Sequence, residues 1–481
     1  GLFLLTKFKK KFHVISLLSG LLSSLLIVFY LKQIGLAWTW FIMVSACINV
    51  LVCNIVDLFV HHKNVKMLLL PVTLFGLWIF YTSGSVNQNK MQGGDSKLLK
   101  TILNNVDKKY LNIIKDPKEY KFQLMYTKID RDKNNQPEFT SHSFGVTEDK
   151  YFYPASTIKL QVAALSLEKL NQIASIDKDT FLKIQPGFGS LEGETVDSTA
   201  KNGIPTIGHY LHKLFVVSDN DAFNRLYEFL GPDYINSRIW ELGFPNTRIR
   251  HRLSLSLTER ENQFANAFQF YSDSGIIFEK PSQKMGLELD SPFEDFFIGD
   301  SHYVMGEKVG GPMDFSEKNF MNIPDQHKFL IQLIFPNKNN SVNHLSLTES
   351  DREFILNKMS MLPRNSTHPK YDSKFYDGYC KFFMFGDSKE KIPDHIKIFN
   401  KVGLAYGFVL DNAYIIDLKH NIEFFLTAVV YGNRNGVLND NIYDYDTQTI
   451  PFLAELGNVI YKYDKGREKK YTPDLSYFGR L

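Results

Sequence analysis

The sequence predicts an α+β protein in which both ends of an outer domain build one sheet around a helical block, preceded by two or three transmembrane helices. Apolar runs dominate the first 82 residues, whereas polar and apolar segments alternate in the remainder. In that remainder the periodicity indicates a helix and a strand, then a block of helices, then two strands and a helix. With 44% apolar residues among 481, the chain has ample material for a packed core.

Charge and cysteine content exclude two classes of protein. The 55 basic and 52 acidic residues leave a net charge of +3, which is too small for this length to indicate binding through phosphate neutralisation. We therefore expect no nucleic-acid partner. Cys47 and Cys53 lie in an apolar run and only Cys380 lies in the polar remainder, so that remainder is not a disulfide scaffold.

Residues 1–82 are the predicted transmembrane region, with apolar runs near 14–31, 37–60 and 67–81. The first two runs are long enough, at roughly 20 residues each, to cross a hydrocarbon core about 30 Å thick, and the third fits a tilted span or a signal-like segment. Basic residues before the first run and after the second indicate cytoplasmic flanks. A third crossing would therefore place the following chain on the outer, periplasmic or extracellular side, with membrane lipid as a partner of the runs.

A polar linker at 83–95 precedes the outer domain, which spans 96–465 and is followed by a tail at 466–481. Thr348 and Asp351 predict an N-terminal cap for one helix of this domain. The predicted helices lie at 98–114, 157–170, 207–217, 221–230, 262–271, 349–361 and 450–463, and the predicted strands at 120–126, 413–417 and 422–431.

Ser156 and Lys159 form the first candidate catalytic pair. Their spacing at the start of an apolar helix places them on one face, one turn apart. A serine hydroxyl needs a neighbouring base to take its proton, and a partly desolvated lysine can be that base. The helix N-terminus also offers N–H groups to a developing oxyanion. The same spacing recurs after Ser166 and Ser388, so the spacing alone is a weak signal.

Two later motifs supply possible partners. Ser218-Asp219-Asn220 offers a second hydroxyl that can relay a proton and an amide that can hold the lysine, although an isolated tripeptide of this kind is more often a helix cap. Lys401-Val402-Gly403 offers a cation for a substrate carboxylate and a glycine that lets a substrate lie close to a strand. A rival Lys308-Val309-Gly310 is followed by Gly311 and Pro312, which predict a loop. Lys401 is preferred because the apolar residues from Leu404 onward continue towards the sheet.

Taken in this order, Ser-x-x-Lys, Ser-Asp-Asn and Lys-x-Gly resemble the signature of class A β-lactamases and penicillin-binding proteins, and the resemblance covers about residues 95–465. It implies a β-lactamase/transpeptidase-like fold and a serine hydrolase that forms an acyl-enzyme. The roles that it implies are nucleophile for Ser156, general base for Lys159, proton relay for Ser218, substrate contact for Asn220, electrostatic anchor for Lys401, close strand approach for Gly403, and an oxyanion hole from the N–H groups of Ser156 and Leu404.

Three features depart from that family pattern. Val402 replaces a hydroxyl residue that would help to hold a substrate carboxylate. The segment 253–266 lacks a clean Glu-x-x-Leu-Asn, and neither Glu259 nor Glu261 has the spacing of the glutamate that activates the deacylating water. About 180 residues separate Ser218 from Lys401, which implies an insertion within 287–343. Fast turnover of an acyl-enzyme is therefore in question.

The resemblance implies hydrolysis of a β-lactam or a related amide, with a small molecule or a cell-wall peptide as acyl substrate. A D,D-peptidase, and a non-catalytic membrane-anchored receptor with the same fold, are the alternatives. No cofactor and no metal are expected, because the sequence contains no HExxH, no paired CxxC and no EF-hand loop, and the pair His209 and His212 lies on an ordinary amphipathic helix.

The stretch at about 10–60 resembles the last helices of sodium:solute symporters, through short and loose motifs such as Ala37-Trp38-Thr39-Trp40. The chain opens with Gly1, so residues 1–66 are interpreted either as anchoring helices or as a symporter remnant joined to a hydrolase that starts at Met67.

Overall fold

The computed structural model describes residues 95–147, 150–291, 293, 295–336 and 344–481. The three predicted membrane runs, the symporter-like stretch and nearly all of the linker lie outside these residues. Within the described ranges, no helix combines the length and the apolarity needed to cross a membrane.

Helices and strands alternate along the described chain. The helices are α1 (Lys97–Leu103), α2 (Leu111–Lys115), α3 (Lys159–Leu170), α4 (Ile207–Val216), α5 (Asn220–Leu230), α6 (Pro232–Glu241), α7 (Glu259–Asn262), α8 (Ile323–Ile334), α9 (Glu349–Ser360), α10 (Phe382–Phe385), α11 (Ile450–Gly466) and α12 (Ser476–Arg480). The strands are β1 (Gln123–Arg131), β2 (Pro137–Phe144), β3 (Phe181–Ile184), β4 (Phe264–Ala265), β5 (Phe268–Ser272), β6 (Gly275–Lys280), β7 (Gln283–Lys284), β8 (Phe297–Ile298), β9 (Ser301–Val304), β10 (Glu307–Gly310), β11 (Met313–Asp314), β12 (Ile396–Ala405), β13 (Phe408–Asp417), β14 (Ile422–Tyr431) and β15 (Val437–Leu438).

The main sheet has five strands in the order β12-β13-β14-β1-β2. Every neighbouring pair is antiparallel, and β1 from the start of the domain pairs with β14 from its end. The predicted α+β architecture, with both ends of the domain in one sheet, is therefore confirmed. The chain order makes this possible because antiparallel neighbours need only short turns, while the helical block fills the long connection between β2 and β12.

Both faces of this sheet are covered. On one face, side chains of β12 to β14 such as Phe399, Tyr414 and Phe425 join the buried cluster of the helical block. On the other face, Val409 and Phe424 pack with α1 and α11. The strands β13 and β14 are consequently buried along almost their whole length, which explains why their sequences are nearly continuous apolar runs.

Four predicted elements differ from the structure. The predicted helix 98–114 is divided, because α1 ends at Leu103 and a 3₁₀ turn at Lys108–Tyr110 precedes α2. The predicted helix 262–271 is wrong: β4 and β5 occupy this stretch, and Phe268 and Phe270 point into the core on alternate positions, as the period of a strand requires. The predicted strand 120–126 overlaps the longer β1 only from Gln123 onward, and the predicted strand 413–417 is the second half of β13.

Residues 466–481, which the sequence analysis treats as a tail, end in α12. Phe478 of this helix is 5% exposed and its ring contacts Phe399 and Tyr414, with centroids 5.7 and 5.0 Å apart. This terminal segment therefore contributes to the core that supports β12.

Candidate active site

Ser156 lies in a 3₁₀ turn, Ala155–Ile158, that leads directly into α3. The turn is held by Thr157, whose N–H and hydroxyl both donate to the carbonyl of Pro154, at 3.1 and 2.7 Å. Ala155 has a φ of 48°, in a region that a side chain makes unfavourable. Such conformations cluster at functional sites, where surrounding structure enforces them. Because α3 is buried almost completely, it fixes the half-buried Ser156 at the end of a rigid element.

Lys159 is fully buried, with an exposed fraction of 0%. Its Nζ donates to the carbonyls of Ser218 and Asp219, at 2.5 and 3.1 Å, and to Oδ1 of Asn220 at 2.6 Å. The Ser-Asp-Asn motif therefore wraps around the amine of Lys159. The sequence predicted this association, and it depends on a left-handed φ of 60° at Ser218.

The environment of Lys159 favours its neutral form. Burial lowers its pKa well below the usual value, and the positive charge of Lys401 lowers it further. Three accepting oxygens act in the opposite sense because they stabilise the ammonium form. Burial is the largest of these effects, so the pKa of the amine is shifted in the direction that a proton acceptor requires.

Ser218 connects two buried lysines. Its Oγ accepts from Nζ of Lys401 at 2.7 Å and lies 3.4 Å from Nζ of Lys159. Lys401, on β12, is 2% exposed and also donates to the carbonyl of Val402 at 3.0 Å. Burial lowers its pKa to about 8. The hydroxyl of Ser218 is thus positioned between two amines that can supply or remove a proton.

Asn220 has a second contact that the sequence analysis did not identify. Its Nδ2 donates to Oγ of Ser254 at 2.8 Å, and Ser254 has a left-handed φ of 55°. In the sequence the only signal for Ser254 is its position at the start of the segment 253–266, where the family pattern places a glutamate and not a hydroxyl. Ser254 therefore orients the amide that holds Lys159.

The two candidate glutamates, Glu259 and Glu261, both lie in the short helix α7. Glu261 accepts from the N–H and hydroxyl of Ser190 and from those of Thr258, at 2.7 to 3.0 Å, in the cap of α7. These hydrogen bonds, those from Ser190 first, lower its pKa to about 2. Glu259 is the exposed first residue of the same short helix. Glu261 is therefore a capping carboxylate, in agreement with its unsuitable spacing.

The hydroxyl of Ser156 makes no hydrogen bond to any of the residues that the structure describes. Catalytic hydrogen bonds in unliganded sites are often long and tighten when a substrate binds. The candidate nucleophile and base thus share one face of the α3 N-terminus without a direct bond between them.

The rival motif at Lys308 is excluded by its location. Lys308 to Gly310 lie on the exposed strand β10, which pairs with β9, and the predicted loop residues Gly311 and Pro312 follow outside any strand. Lys401 is the lysine that contacts the Ser-Asp-Asn motif.

His209 and His212 lie on the helix α4. Their rings form hydrogen bonds with the hydroxyls of Thr199 and Ser366, at 2.9 and 2.8 Å, and these contacts lie within the helical block.

Gly403 packs against the backbone of the turn that carries Ser156. A Cβ at this position would lie 2.7 Å from the carbonyl oxygen of Pro154, 3.2 Å from Cβ of Ala155 and 3.2 Å from the backbone nitrogen of Ser156. Only a glycine permits this approach, which brings the backbone before Leu404 beside the N–H of Ser156. The side chain of Leu404 is 39% exposed.

We expect Gly403→Ala to slow acylation of Ser156 by roughly 10²-fold, because a displacement near 1 Å at a reacting group costs about that much. Gly310→Ala is the matched control, since it alters the rival Lys-Val-Gly and its Cβ would meet nothing within 4 Å. The second-order acylation rate of each variant measures the effect. Equal rates for both variants and the wild type would show that the close approach is irrelevant to the reaction.

Residues 105–274 match the model of the Beta-lactamase enzyme family. This range contains Ser156, Lys159, Ser218 and Asn220 and ends before Lys401. The match supports a β-lactamase-like α+β fold and, at the level of the family, a serine hydrolase. No curated protein matches the chain, and the symporter resemblance of residues 10–60 receives no support.

Several solved structures are similar to the chain. A β-lactamase from Burkholderia ambifaria has 13% identity and a TM-score of 0.41, covering 75% of this chain and 100% of its own. A β-lactamase from Desulfarculus baarsii has 13% identity and a TM-score of 0.42, with 75% and 97% covered. The β-lactamase from Streptomyces albus G has 12% identity and a TM-score of 0.41, with 74% and 98% covered.

Proposed function

We propose that this protein is a serine hydrolase that forms an acyl-enzyme on Ser156, with Lys159 as the general base. The observation that carries the proposal is the convergence of Lys159, Ser218 and Lys401, which are joined through the Ser218 hydroxyl at the N-terminus of α3. A base of lowered pKa beside a helix-terminal serine is the arrangement that nucleophilic catalysis requires.

The proposed reaction begins when the Oγ of Ser156 attacks the substrate carbonyl and its proton passes to the neutral amine of Lys159. The N–H groups of Ser156 and Leu404 stabilise the negative charge on the carbonyl oxygen. When the carbon–nitrogen bond breaks, Ser218 donates its proton to the leaving nitrogen and regains one from Lys159 or Lys401. The product is an ester on Ser156, and water later cleaves it to release the acid.

The substrate class that fits is an amide carrying a nearby carboxylate, such as a β-lactam or a cell-wall peptide. Lys401 supplies the cation for that carboxylate. The side chain of Val402 is 4% exposed and apolar, so it adds no hydroxyl donor beside the lysine. The proposed anchor is therefore mainly electrostatic.

A D,D-peptidase-like or penicillin-binding activity is a second candidate, favoured by the position of Glu261. A carboxylate bound in the cap of α7 cannot activate water at Ser156 without leaving four hydrogen bonds. We therefore propose that the acyl-enzyme forms faster than it is hydrolysed.

Intact-mass analysis of the purified full-length chain, incubated with benzylpenicillin and with a chromogenic cephalosporin, tests both activities. A mass increase equal to the mass of one benzylpenicillin molecule supports the acyl-enzyme proposal. Persistence of that adduct for many minutes favours the penicillin-binding type, whereas its rapid decay with turnover favours a β-lactamase. If neither compound forms an adduct or is turned over, the proposed substrate class is wrong.

The acylation rate is expected to have a bell-shaped pH dependence. The rate rises with pH as Lys159 loses its proton and becomes a base, and it falls above about pH 8 as Lys401 loses the charge that attracts the substrate carboxylate. The methyl ester of the same penicillin has no carboxylate, so its profile should lack the falling limb. Stopped-flow measurements of the acylation rate between about pH 5 and about pH 10, a range chosen to include the titration of both lysines, give both profiles. Identical profiles would contradict the role of Lys401.

Anchoring by the N-terminal apolar runs, with the domain on the outer side of the membrane, is part of this proposal. It is supported by the length of the first two runs and the basic residues around them. Cell-wall peptides and antibiotics would be accessible there.

A further inference from the structure

Two histidines and an aspartate meet where β12 begins and β13 ends, at the opposite end of β12 from Gly403, which lies beside Ser156. His395 immediately precedes β12, Asp417 ends β13, and His420 lies in the turn between β13 and β14. Lys401 lies six positions after His395, which is about 20 Å along a strand because a strand rises about 3.3 Å per residue. This cluster is thus separate from the candidate active site.

The ligand atoms of the three side chains lie within 4.8 Å of one another. Oδ2 of Asp417 is 2.8 Å from Nδ1 of His420 and 4.0 Å from Nε2 of His395. In a tetrahedral site with bonds of about 2.0–2.1 Å, neighbouring ligand atoms are about 3.3 Å apart. The two distances bracket this value, so small side-chain rotations would bring all three atoms onto one ion.

The backbone holds the three residues in register. Ile396 pairs with Asp417 across the sheet, and the N–H of Leu418 donates to the carbonyl of His395 at 2.8 Å. Oδ1 of Asp417 accepts from the N–H groups of Lys419 and His420, at 2.8 and 3.1 Å, which fixes the turn. The cluster therefore rests on strand ends and a hydrogen-bonded turn rather than on a loose loop.

Asp417 has an unusual electrostatic environment for a carboxylate. Its side chain is 0% exposed, yet within the described ranges neither a lysine nor an arginine forms an ion pair with it, and the basic side chains beside it there are the two imidazoles. A buried carboxylate normally has a permanent cationic partner or a metal. The hydroxyl of Tyr461 donates to its Oδ2 at 2.6 Å, as outer hydrogen-bond donors do to metal-binding carboxylates.

Both imidazole rings can be reached from solvent, with side chains 35% and 33% exposed for His395 and His420. Two imidazoles and one carboxylate suit zinc and similar transition ions, whereas calcium and magnesium prefer oxygen ligands alone. Three protein ligands also leave a fourth position for water.

From this geometry we infer that His395, Asp417 and His420 form a binding site for a zinc-class transition-metal ion, which joins the start of β12 to the β13–β14 turn. No metal was expected from the sequence, and these three ligands are dispersed along the chain without a recognised metal-binding motif. The inference is independent of the proposed hydrolase activity.

Calorimetric titration of the full-length chain with ZnCl₂, after treatment with a chelator, tests the site. We expect one saturable zinc site in the wild type, weakened by at least about tenfold in His395→Gln and in His420→Gln, since even outer-shell changes cost about that much. His344→Gln is the matched control, because His344 is exposed and lies outside the cluster. Absence of saturable binding, or equal binding by both ligand variants, would overturn the inference.

A second readout excludes effects of the variants on folding. Zinc should raise the melting temperature of the wild type and of His344→Gln but not that of either ligand variant, and magnesium should change none of them. Co²⁺ should give the visible absorption bands of a four-coordinate ion in the same two proteins only. A zinc-induced shift that persists in both ligand variants would place the ion elsewhere.

Discussion

Ser156→Ala is expected to abolish acylation, reducing its rate by at least about 10⁴-fold, because no other nucleophile replaces the missing hydroxyl. The substitution removes one oxygen from a half-buried position whose hydroxyl makes no hydrogen bond to the described residues. The fold and the packing of α3 should therefore be unchanged. Mass spectra recorded over time with excess benzylpenicillin measure the rate.

Ser388→Ala is the matched control for this experiment. Ser388 also begins a Ser-x-x-Lys sequence, with Lys391, but it lies in an irregular segment and its Oγ accepts from the N–H of Glu390 at 3.1 Å. This control should acylate at the wild-type rate. Normal acylation of Ser156→Ala, or loss of acylation in both variants, would contradict the assignment of the nucleophile.

Lys159→Met has the second largest expected effect, a loss of about 10²–10⁴-fold in the acylation rate, which is the usual contribution of a positioned general base. Methionine fills a similar buried volume but cannot accept a proton. It also leaves the carbonyls of Ser218 and Asp219 without their donor, so a lower melting temperature is expected as well.

Lys159→Arg separates the role of base from that of charge. An arginine stays protonated and can still donate to the surrounding oxygens, but it cannot act as a base at neutral pH. We expect it to be as inactive as Lys159→Met, whereas Lys169→Met, which alters the lysine of the Ser166 motif, should acylate normally. An active Lys159→Arg would indicate that the amine acts only by orienting Ser218 and Asn220.

The sheet and most of the helical block could be predicted because their patterns are local. The strands β13 and β14 are mostly apolar along their length, and Thr348 does cap α9 by accepting from the N–H of Asp351 at 3.1 Å. The segment 262–271 was misassigned because Phe268 and Phe270 fit an apolar helix in composition alone. This segment is a strand because β5 pairs with β3, which is distant in the sequence, and a local pattern contains no information about that pairing.

The sequence predicted which residues would form the candidate site, but it did not predict all of their contacts. The order of three motifs predicted that Lys159, Ser218 and Lys401 would meet, and they do. The contact of Ser254 with Asn220 could not be predicted, because it depends on a left-handed turn that serine rarely adopts. Likewise, the cluster around Asp417 exists only once β12 and β13 are paired.

The most direct test of the central claim is to locate the acyl group within the chain. The full-length protein is incubated with benzylpenicillin, stopped with acid, digested and analysed by tandem mass spectrometry. We predict that the added mass lies on Ser156, in the peptide that also contains Lys159. An adduct on another residue, such as Ser218 or the buried thiol of Cys380, would contradict the proposed mechanism.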